Sequence, residues 1–207
     1  FDFSSTLVIV ISQSGLSEDL IQCEQATRSM GAKTIILTNN SNSPMISTAD
    51  YFFNMQAGKE ESVAATKSFV LTLLNLTKLV SITCENNKII NKINELPEIL
   101  DLELQKIWDV EIMDPNLSNG FIISRGLGYA LSTEISLKFK EFCQEQIEPF
   151  SSAEVMHGPK SLIQNKFKLF IVTLMDNSGK SVLQDIRELK KLTDKVYELT
   201  PQQVSNS

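Results

Sequence analysis

The sequence is poor in the residues that build disulfide frameworks and metal sites. It has three cysteines and one histidine in 207 residues, and Cys23, Cys84 and Cys143 show no CxxC spacing. An odd number of cysteines without that spacing argues against a disulfide framework or a structural zinc site, and it fits a reducing cytoplasm. No apolar run approaches the roughly 18 residues of a membrane-spanning helix. We therefore expect no metal site and no membrane contact.

Basic residues are also too few and too scattered to form a polyanion-binding surface. The formal net charge is -6, and no long run of Lys or Arg occurs. This argues against nucleic acid or an anionic membrane as the main partner. The composition, 42% hydrophobic and 21% charged, is that of an ordinary globular protein with one full core or two small ones.

The first half of the chain alternates patterns typical of strands and helices. Leu7 to Ile11 is a continuous apolar, β-branched run, as in a parallel strand buried on both faces. A helix with Ser17 as N-cap should run to about Met30, where Gly31 ends it. In chain order we further predict strands at 33–38 and 51–53, a long helix from Ser62 to about Thr83, and a charged helix from about Lys88 to Ile112.

A turn-rich segment then divides the chain. Asp114-Pro115-Asn116 and Asn119-Gly120 are turn formers, so we place a domain boundary here, with domains at 1–113 and 114–207. After the break we predict a strand at 121–123 and a helix from about Ala130 to Glu145.

An internal repeat supports two related domains. LVIVI begins at Leu7 and LFIVT at Leu169, while KTIILT begins at Lys33 and KVYELT at Lys195. Both offsets are 162, because 169 - 7 and 195 - 33 are equal, and a helix is predicted inside each pair. The other elements would have their partners before residue 1 or after residue 207. The repeat and the absence of an initial Met therefore predict a fragment of a longer two-domain parent, incomplete in both domains.

The turn after the first strand has the properties of an anion site. Ser12-Gln13-Ser14-Gly15 lies between a buried strand and a helix N-terminus, where free N–H groups and the helix dipole stabilise anions. The Ser12, Ser14 and Ser17 hydroxyls and the Gln13 amide are neutral donors that suit a phosphate monoester. An ordinary polar turn with a serine cap is the alternative. The matching turn of the repeat, 175–179, contains Met and Asp and should not bind phosphate.

Glu134, Lys138 and Glu141 form one stripe on the predicted helix 130–145, beside an apolar stripe of Leu131, Ile135, Phe139 and Phe142. The stripe is either a solvated face with an ion pair or a carboxylate base beside a lysine that stabilises an enediol.

Two further features bear on chemistry. His157, the only histidine, lies in a Gly-Pro loop that would make its imidazole fixed and accessible, or it is merely structural. Gly126-x-Gly128 lacks the third glycine of a dinucleotide fingerprint, which disfavours a nucleotide-dependent dehydrogenase.

Four stretches together resemble the double-SIS (sugar isomerase) family of phosphosugar isomerases, which includes the isomerase half of glucosamine-6-phosphate synthase and stand-alone amino-sugar-phosphate deaminases. They are 11–15 (ISQSG), 57–67 (AGKEESVAATK), the helix from Glu134 to Glu141 ending in KFKE, and 153–159 (AEVMHGP). The resemblance implies an α/β fold of two pseudo-repeated three-layer sandwiches, each with a central, mostly parallel sheet. It also implies a hexose 6-phosphate as the substrate.

The resemblance also assigns roles to residues. The implied phosphate-binding residues are Ser12, Gln13, Ser14 and Ser17, and the sugar-lining residues are Val63 and Ala65, at the start of the long helix. Glu141 would move a proton between C1 and C2, with Glu134 and Lys138 supporting it. His157 would assist ring opening in the neighbouring subunit, which implies a homodimer. This chemistry needs no cofactor.

The sequence departs from the family in three places. Ala65 stands where the synthase usually has Ser, and the family's first sugar-binding loop and its C-terminal imine-forming lysine would lie outside residues 1–207. The expected activity is ketose–aldose isomerisation coupled to amination or deamination, which interconverts fructose 6-phosphate plus ammonia with glucosamine 6-phosphate in either net direction. The alternatives are a deaminase or deglycase for another phosphosugar, which the details at 59–62 and 157–162 favour, and a non-catalytic sugar-phosphate sensor.

Overall fold

The computed structural model describes residues 1–105, 119–164 and 166–200. The chain divides into two compact units, Phe1–Lys106 and Ile107–Ser207. The predicted boundary between residues 113 and 114 lies outside the described residues, as does the predicted helical segment from residue 106 to 112.

The first unit is a three-stranded parallel sheet with helices. Its strands are β1 (Leu7–Ser12), β2 (Lys33–Thr38) and β3 (Tyr51–Asn54), in the order β1-β2-β3, and its helices are α1 (Glu18–Ser29), α2 (Lys67–Thr83) and α3 (Asn87–Leu104). Val10, Ile36 and Met45 form a buried cluster, against which Leu20 and Ile21 of α1 pack. This apolar contact fixes α1 on one face of the sheet.

The opposite face of this sheet meets α2. Ile9, Ile35 and Leu37 line an apolar cavity of about 180 Å³ together with Leu76 and Leu79 of α2. The sheet of the first unit therefore has a helix on each side. No helix among the described residues has both the length and the hydrophobicity that a membrane span requires.

The second unit is a four-stranded parallel sheet. Its strands are β4 (Asn119–Ser124), β5 (Gln146–Ser151), β6 (Lys168–Val172) and β7 (Val196–Leu199), in the order β5-β4-β6-β7, and its helices are α4 (Leu127–Lys138), α5 (Ser152–Val155) and α6 (Asn177–Leu189). A single π-helical turn, Phe139–Cys143, follows α4.

The faces of this second sheet carry separate apolar clusters. Ile122, Ile147 and Phe170 pack with Ile135 and Phe139 from the α4 side. The neighbouring strand residues point the other way because side chains alternate along a strand, and they pack with α5 and α6 in a cluster of Phe121, Ile123, Val155, Leu169, Ile171, Val182, Ile186 and Leu189. The result is a three-layer α/β sandwich, so the predicted fold class is confirmed.

Most predicted elements are present, with several corrections. The positions of the strands at 7–11, 33–38, 51–53 and 121–123 and of the helix ending near Met30 are confirmed. The prediction that the first strand is buried on both faces is wrong, because Leu7, Ile9 and Ile11 are 54%, 38% and 39% exposed. The long helix begins at Lys67 rather than Ser62, and the helix predicted to reach Glu145 ends at Lys138, followed by the π turn. Phe142, predicted to lie on the apolar stripe, is 59% exposed.

Asn119 and Gly120 begin strand β4 instead of forming a turn. Gly120 pairs with Ile147 on one side and Lys168 on the other. A Cβ on Gly120 would lie 2.7 Å from the Lys168 carbonyl oxygen. The glycine therefore serves a close approach of two backbones in a central strand, which turn propensity alone does not reveal.

Both strand-helix-strand units of the sequence repeat are present. β1, α1 and β2 form one, and β6, α6 and β7 form the other, each with adjacent parallel strands. The strand registers differ by one residue, however. Leu7 pairs with Lys33, whereas Leu169 pairs with Val196 instead of Lys195.

Candidate functional site

The turn after β1 is held by its own serine hydroxyls. Ser12 Oγ, which is almost buried, accepts a hydrogen bond of 3.1 Å from the N–H of Gly15. Ser14 Oγ accepts one of 3.3 Å from the N–H of Leu16. Because each hydroxyl acts as an acceptor in these bonds, each still has its proton to donate to an anion.

Gly15 packs closely against the residues that follow β2. Its φ is +63°, and a Cβ at this position would lie 2.6 Å from Ser43 Cβ and 2.8 Å from Thr38 Oγ1. Ser43 Oγ donates a 2.6 Å hydrogen bond to the Gly15 carbonyl. Gly15 thus has both a steric and a conformational reason to be glycine.

Two asparagines after β2 brace the turn. The N–H of Asn39 donates to the Gln13 carbonyl at 3.2 Å, and Asn40 Nδ2 donates to the Ser14 carbonyl at 2.8 Å. Sequence reasoning missed both residues. The available signal was their position directly after a strand parallel to β1, since the carboxyl ends of parallel strands share one edge of the sheet.

The N-terminus of α1 opens from this turn without a side-chain cap. Ser17 occupies the N-cap position, as predicted, but its side chain makes no capping hydrogen bond. Glu18 and Asp19 follow in the first turn, and their negative charges oppose an incoming anion. Glu18 accepts a hydrogen bond from Gln22 one turn along the helix, so its carboxylate is drawn toward the helix body.

In the second unit, a carboxylate holds the corresponding helix N-terminus. Asp176 Oδ1 accepts hydrogen bonds from Gly179 N–H at 2.8 Å and Ser178 Oγ at 2.6 Å. These bonds hold the pKa of Asp176 below its ordinary value, and the bond from Ser178 contributes most. The α6 N-terminus therefore already carries a negative group, in contrast to α1.

Asn39 also connects the turn to the loop before α2. Its side-chain Nδ2 donates to the Gly58 carbonyl at 2.7 Å, and its Oδ1 accepts from Ala57 N–H at 2.9 Å. Asn39 thereby links the turn after β1 to residues 57 and 58 of this loop at the carboxyl edge of the first sheet.

Val63 and Ala65 lie in that loop and not in α2, which corrects their predicted place at the start of a helix. Val63 is 98% exposed, whereas the intervening Ala64 is 2% exposed. The helix begins late because the Glu60 carboxylate takes its first N–H groups, with hydrogen bonds from Thr66 (3.1 Å), Lys67 (3.2 Å) and Ser68 (2.9 Å).

These hydrogen bonds make Glu60 a pH-sensitive contact. The N–H of Ser68 contributes most to lowering the pKa of Glu60 from 4.5 to about 2. A carboxyl group whose pKa is lower in the folded state stabilises the fold above its unfolded pKa, and the stabilisation is lost as the pH falls. We expect this loss between pH 4.5 and about 2. Unfolding of the Glu60→Gln variant should depend less on pH in that window, and an unchanged dependence would contradict the assignment.

In the second unit, Lys138 sits between two carboxylates. Its Nζ lies 3.1 Å from Glu134 Oε1 and 2.9 Å from Glu141 Oε2, and the three side chains are only 19–27% exposed. Burial lowers the pKa of Lys138, but the hydrogen bonds to Glu141 and Glu134 outweigh it, so the pKa is raised overall. The predicted stripe is therefore a real cluster.

Glu141 of this cluster lies within the π turn. In a regular helix Glu141 would continue α4, but Phe139–Cys143 forms a wider turn that Gln144 ends in the left-handed conformation, at φ 58°. π turns inside helices are often found at functional sites. The change of helix type was not visible in the spacing of apolar residues.

His157 lies on the other side of the second sheet from Glu141. Its neighbour Met156 packs in the cluster on the α6 side, whereas Phe139, two residues before Glu141, packs in the cluster on the α4 side. His157 itself is exposed. The sheet thus separates the imidazole from the Glu141 carboxylate within one chain.

The described residues contain no group of three or more His, Cys, Asp or Glu side chains arranged to bind a metal ion. Cys23, Cys84 and Cys143 are all exposed free thiols.

Comparisons with known proteins agree with this architecture. Residues 3–82 match the family model of the SIS domain. Over 199 residues the chain is 33% identical to a glutamine–fructose-6-phosphate aminotransferase (isomerizing) of Sulfurisphaera tokodaii, covering 92% of this chain and 33% of that protein. The chain therefore spans about a third of the length of this curated relative.

Solved structures show the same fold over nearly the whole chain. A Silicibacter pomeroyi protein described as a phosphosugar isomerase superposes with a TM-score of 0.85 at 29% identity, covering 96% of this chain and 60% of that one. The C-terminal domain of glucosamine-fructose-6-phosphate aminotransferase from Francisella tularensis gives a TM-score of 0.81 at 23% identity, covering 94% and 63%.

Proposed function

We propose that this chain belongs to the SIS-domain family of phosphosugar isomerases, which the match of residues 3–82 and the similarity to phosphosugar isomerases support. In this proposal it is part of an enzyme that interconverts fructose 6-phosphate plus ammonia with glucosamine 6-phosphate plus water. The observation that carries the proposal is the turn after β1. It presents hydroxyl and amide donors at a helix N-terminus that has no side-chain cap, which is a favourable place for a phosphate monoester.

Ser12, Gln13, Ser14 and Ser17 bind the phosphate in this proposal. The donors are neutral, so the positive charge at the site comes from the helix dipole alone. Such a site holds a dianion without a permanent ion pair, which favours release of product after each turnover. The sugar then extends toward the loop that carries Val63 and Ala65, whose residues 57 and 58 hydrogen-bond to Asn39.

Glu141 is the proposed general base. It takes a proton from the carbon beside the sugar carbonyl, giving an enediol, and returns the proton to the neighbouring carbon. Lys138 orients the carboxylate through its 2.9 Å hydrogen bond and places a cation near the negative charge that develops on the sugar oxygen. Glu134 holds Lys138 from the other side.

His157 is proposed to act in the site of a second copy of the chain. The sheet of its own unit separates it from Glu141, so a role for both groups on one sugar calls for a homodimer. The imidazole would transfer the proton for ring opening.

The exposed cysteines, which form no disulfide, support a reducing cytoplasm as the location of the protein.

A deaminase acting on another amino-sugar phosphate is the second candidate. Ala65 in place of the synthase's serine supports it, because the loop then offers one hydroxyl fewer to the sugar. A non-catalytic sensor would need the phosphate turn but not the Glu134–Lys138–Glu141 cluster. Ammonia release from several amino-sugar phosphates, measured on the intact gene product, separates the three candidates.

The phosphate assignment predicts a specific loss in a double variant. Glucosamine 6-phosphate should raise the Tm of the intact gene product, and Ser12→Ala with Ser14→Ala should abolish that rise because two anion donors are lost. The matched control is Ser29→Ala with Ser47→Ala, which removes two exposed serine hydroxyls of the same unit that bond only to backbone carbonyls. The control should keep the full rise. A rise that survives in the Ser12/Ser14 variant would remove the phosphate assignment.

A further inference from the structure

The loop between β3 and α2 is closed by charged side chains from its own ends. The two oxygens of Glu60 accept three N–H groups at the start of α2, from residues 66–68. In the opposite direction, Lys67 Nζ donates a 2.6 Å hydrogen bond to the Lys59 carbonyl. Thr66 Oγ1 adds a 3.1 Å bond to the Ala64 carbonyl. The five residues 61–65 are thereby tied into a closed loop.

The hydrogen bonds to the Glu60 carboxylate occupy both of its oxygens. Oε1 receives two backbone N–H groups and Oε2 receives one. Hydrogen bonds to an ionised acceptor are stronger than neutral ones, and they also satisfy N–H groups that a helix start leaves without intrahelical partners. A carboxylate beside a candidate sugar site could serve as a proton acceptor. Both oxygens of Glu60, however, are occupied by backbone N–H groups, so its role is to hold the backbone.

The closed loop presents Glu61, Ser62 and Val63 to solvent on a fixed backbone. Ala64 is buried, with 2% of its surface exposed, while Val63 is 98% exposed. A contact residue on a closed loop loses less conformational entropy on binding than one on an open loop.

We propose that Glu60 and Lys67 are positioning residues, which hold residues 61–65 in the conformation that recognises the sugar moiety of a hexose 6-phosphate. The inference rests on the proposed function. It assigns the sugar-dependent part of the affinity to this closure, and the phosphate-dependent part to the separate turn after β1. Neither Glu60 nor Lys67 contacts the substrate.

The test compares two ligands on the intact gene product. Dissociation constants for glucosamine 6-phosphate and for inorganic phosphate are measured for the wild type, Glu60→Ala, Glu60→Gln and Lys67→Met. The matched control is Glu98→Ala, which removes an exposed carboxylate of the same unit that lies in α3, outside the loop. We expect Glu60→Ala to weaken binding of the sugar phosphate about tenfold, since the loop must then be ordered on binding. Binding of inorganic phosphate should stay within about twofold, and Glu60→Gln, which keeps one acceptor oxygen, should fall in between.

The outcomes are distinguishable. If the wild type binds neither ligand, the proposed function fails and the inference fails with it. If the wild type binds both and Glu60→Ala leaves both affinities unchanged, only the inference fails. If Glu60→Ala lowers both affinities equally and also lowers the Tm, Glu60 supports only the fold. That outcome also overturns the inference. Should Glu60→Ala not fold, Glu60→Gln and Lys67→Met carry the same comparison.

Discussion

Replacing Glu141 with glutamine is expected to lower the turnover of a hexose 6-phosphate roughly 10²- to 10⁴-fold, the usual contribution of a general base. The affinity for the sugar phosphate should change little, because the phosphate turn belongs to the first unit and is untouched. Glutamine has nearly the shape of glutamate and can still accept the hydrogen bond from Lys138 through its amide oxygen. What it lacks is the ability to take a proton.

Turnover and affinity have to be measured on the same preparation of the intact gene product. Glu145→Gln is the matched control, since it neutralises the next carboxylate along the chain, just beyond the π turn. The control should retain wild-type turnover within about twofold, because Glu145 lies outside the cluster of Glu134, Lys138 and Glu141. If Glu141→Gln keeps its turnover, the base lies elsewhere. If it loses binding as well, the residue shapes the site instead of taking the proton.

The strands were predictable because their signal is local. Each buried strand reads as an unbroken β-branched or aromatic run, as in KTIILT at 33–38, which forms β2 without a shift at either end. A strand of a parallel sheet is covered on both faces by helices, so this pattern depends little on the partner. The turn after β1 was predictable for the same reason, since a strand end, a glycine and a serine-rich helix start are adjacent in sequence.

The features that were not predicted depend on contacts between distant residues. The late start of α2 at Lys67 follows from a carboxylate six to eight residues upstream, which local capping rules do not consider. Asn39 gains its role from hydrogen bonds to Gln13, 26 residues before it, and to Ala57, 18 residues after it. The one-residue difference in register between the two repeat units is likewise set by packing, because a strand's register follows from what its faces bury.

The position of His157 shows a second reason why part of the candidate site could not be predicted from the sequence. The sequence places His157 sixteen residues after Glu141, which suggests proximity. β5 lies between them, however, and the chain passes from the α4 face of the sheet to the α6 face. Separation across a sheet depends on which face each connection takes, and sequence spacing carries no information about that choice.

Gly15→Ala is expected to abolish phosphate binding, and Gly58→Ala provides a closely matched control. Both glycines have the same left-handed backbone, with φ +63° and +64°, so an alanine at either position pays about 1–2 kcal/mol of conformational strain. They differ in their surroundings. A Cβ on Gly15 would lie 2.6 Å from Ser43 Cβ, whereas a Cβ on Gly58 would have no heavy atom within 4 Å.

The difference between the two variants therefore isolates the packing of the turn against residues 38–43. Gly15→Ala must push the turn away from Ser43 and break the hydrogen bond to the Gly15 carbonyl, an overpacking effect of about 1–3 kcal/mol beyond the strain. The Tm and the dissociation constant for glucosamine 6-phosphate should be measured for both variants. We expect Gly58→Ala to retain binding of the ligand and Gly15→Ala to lose it. Equal effects in the two variants would mean that backbone strain alone matters, and that contact with Ser43 does not set the shape of the anion site.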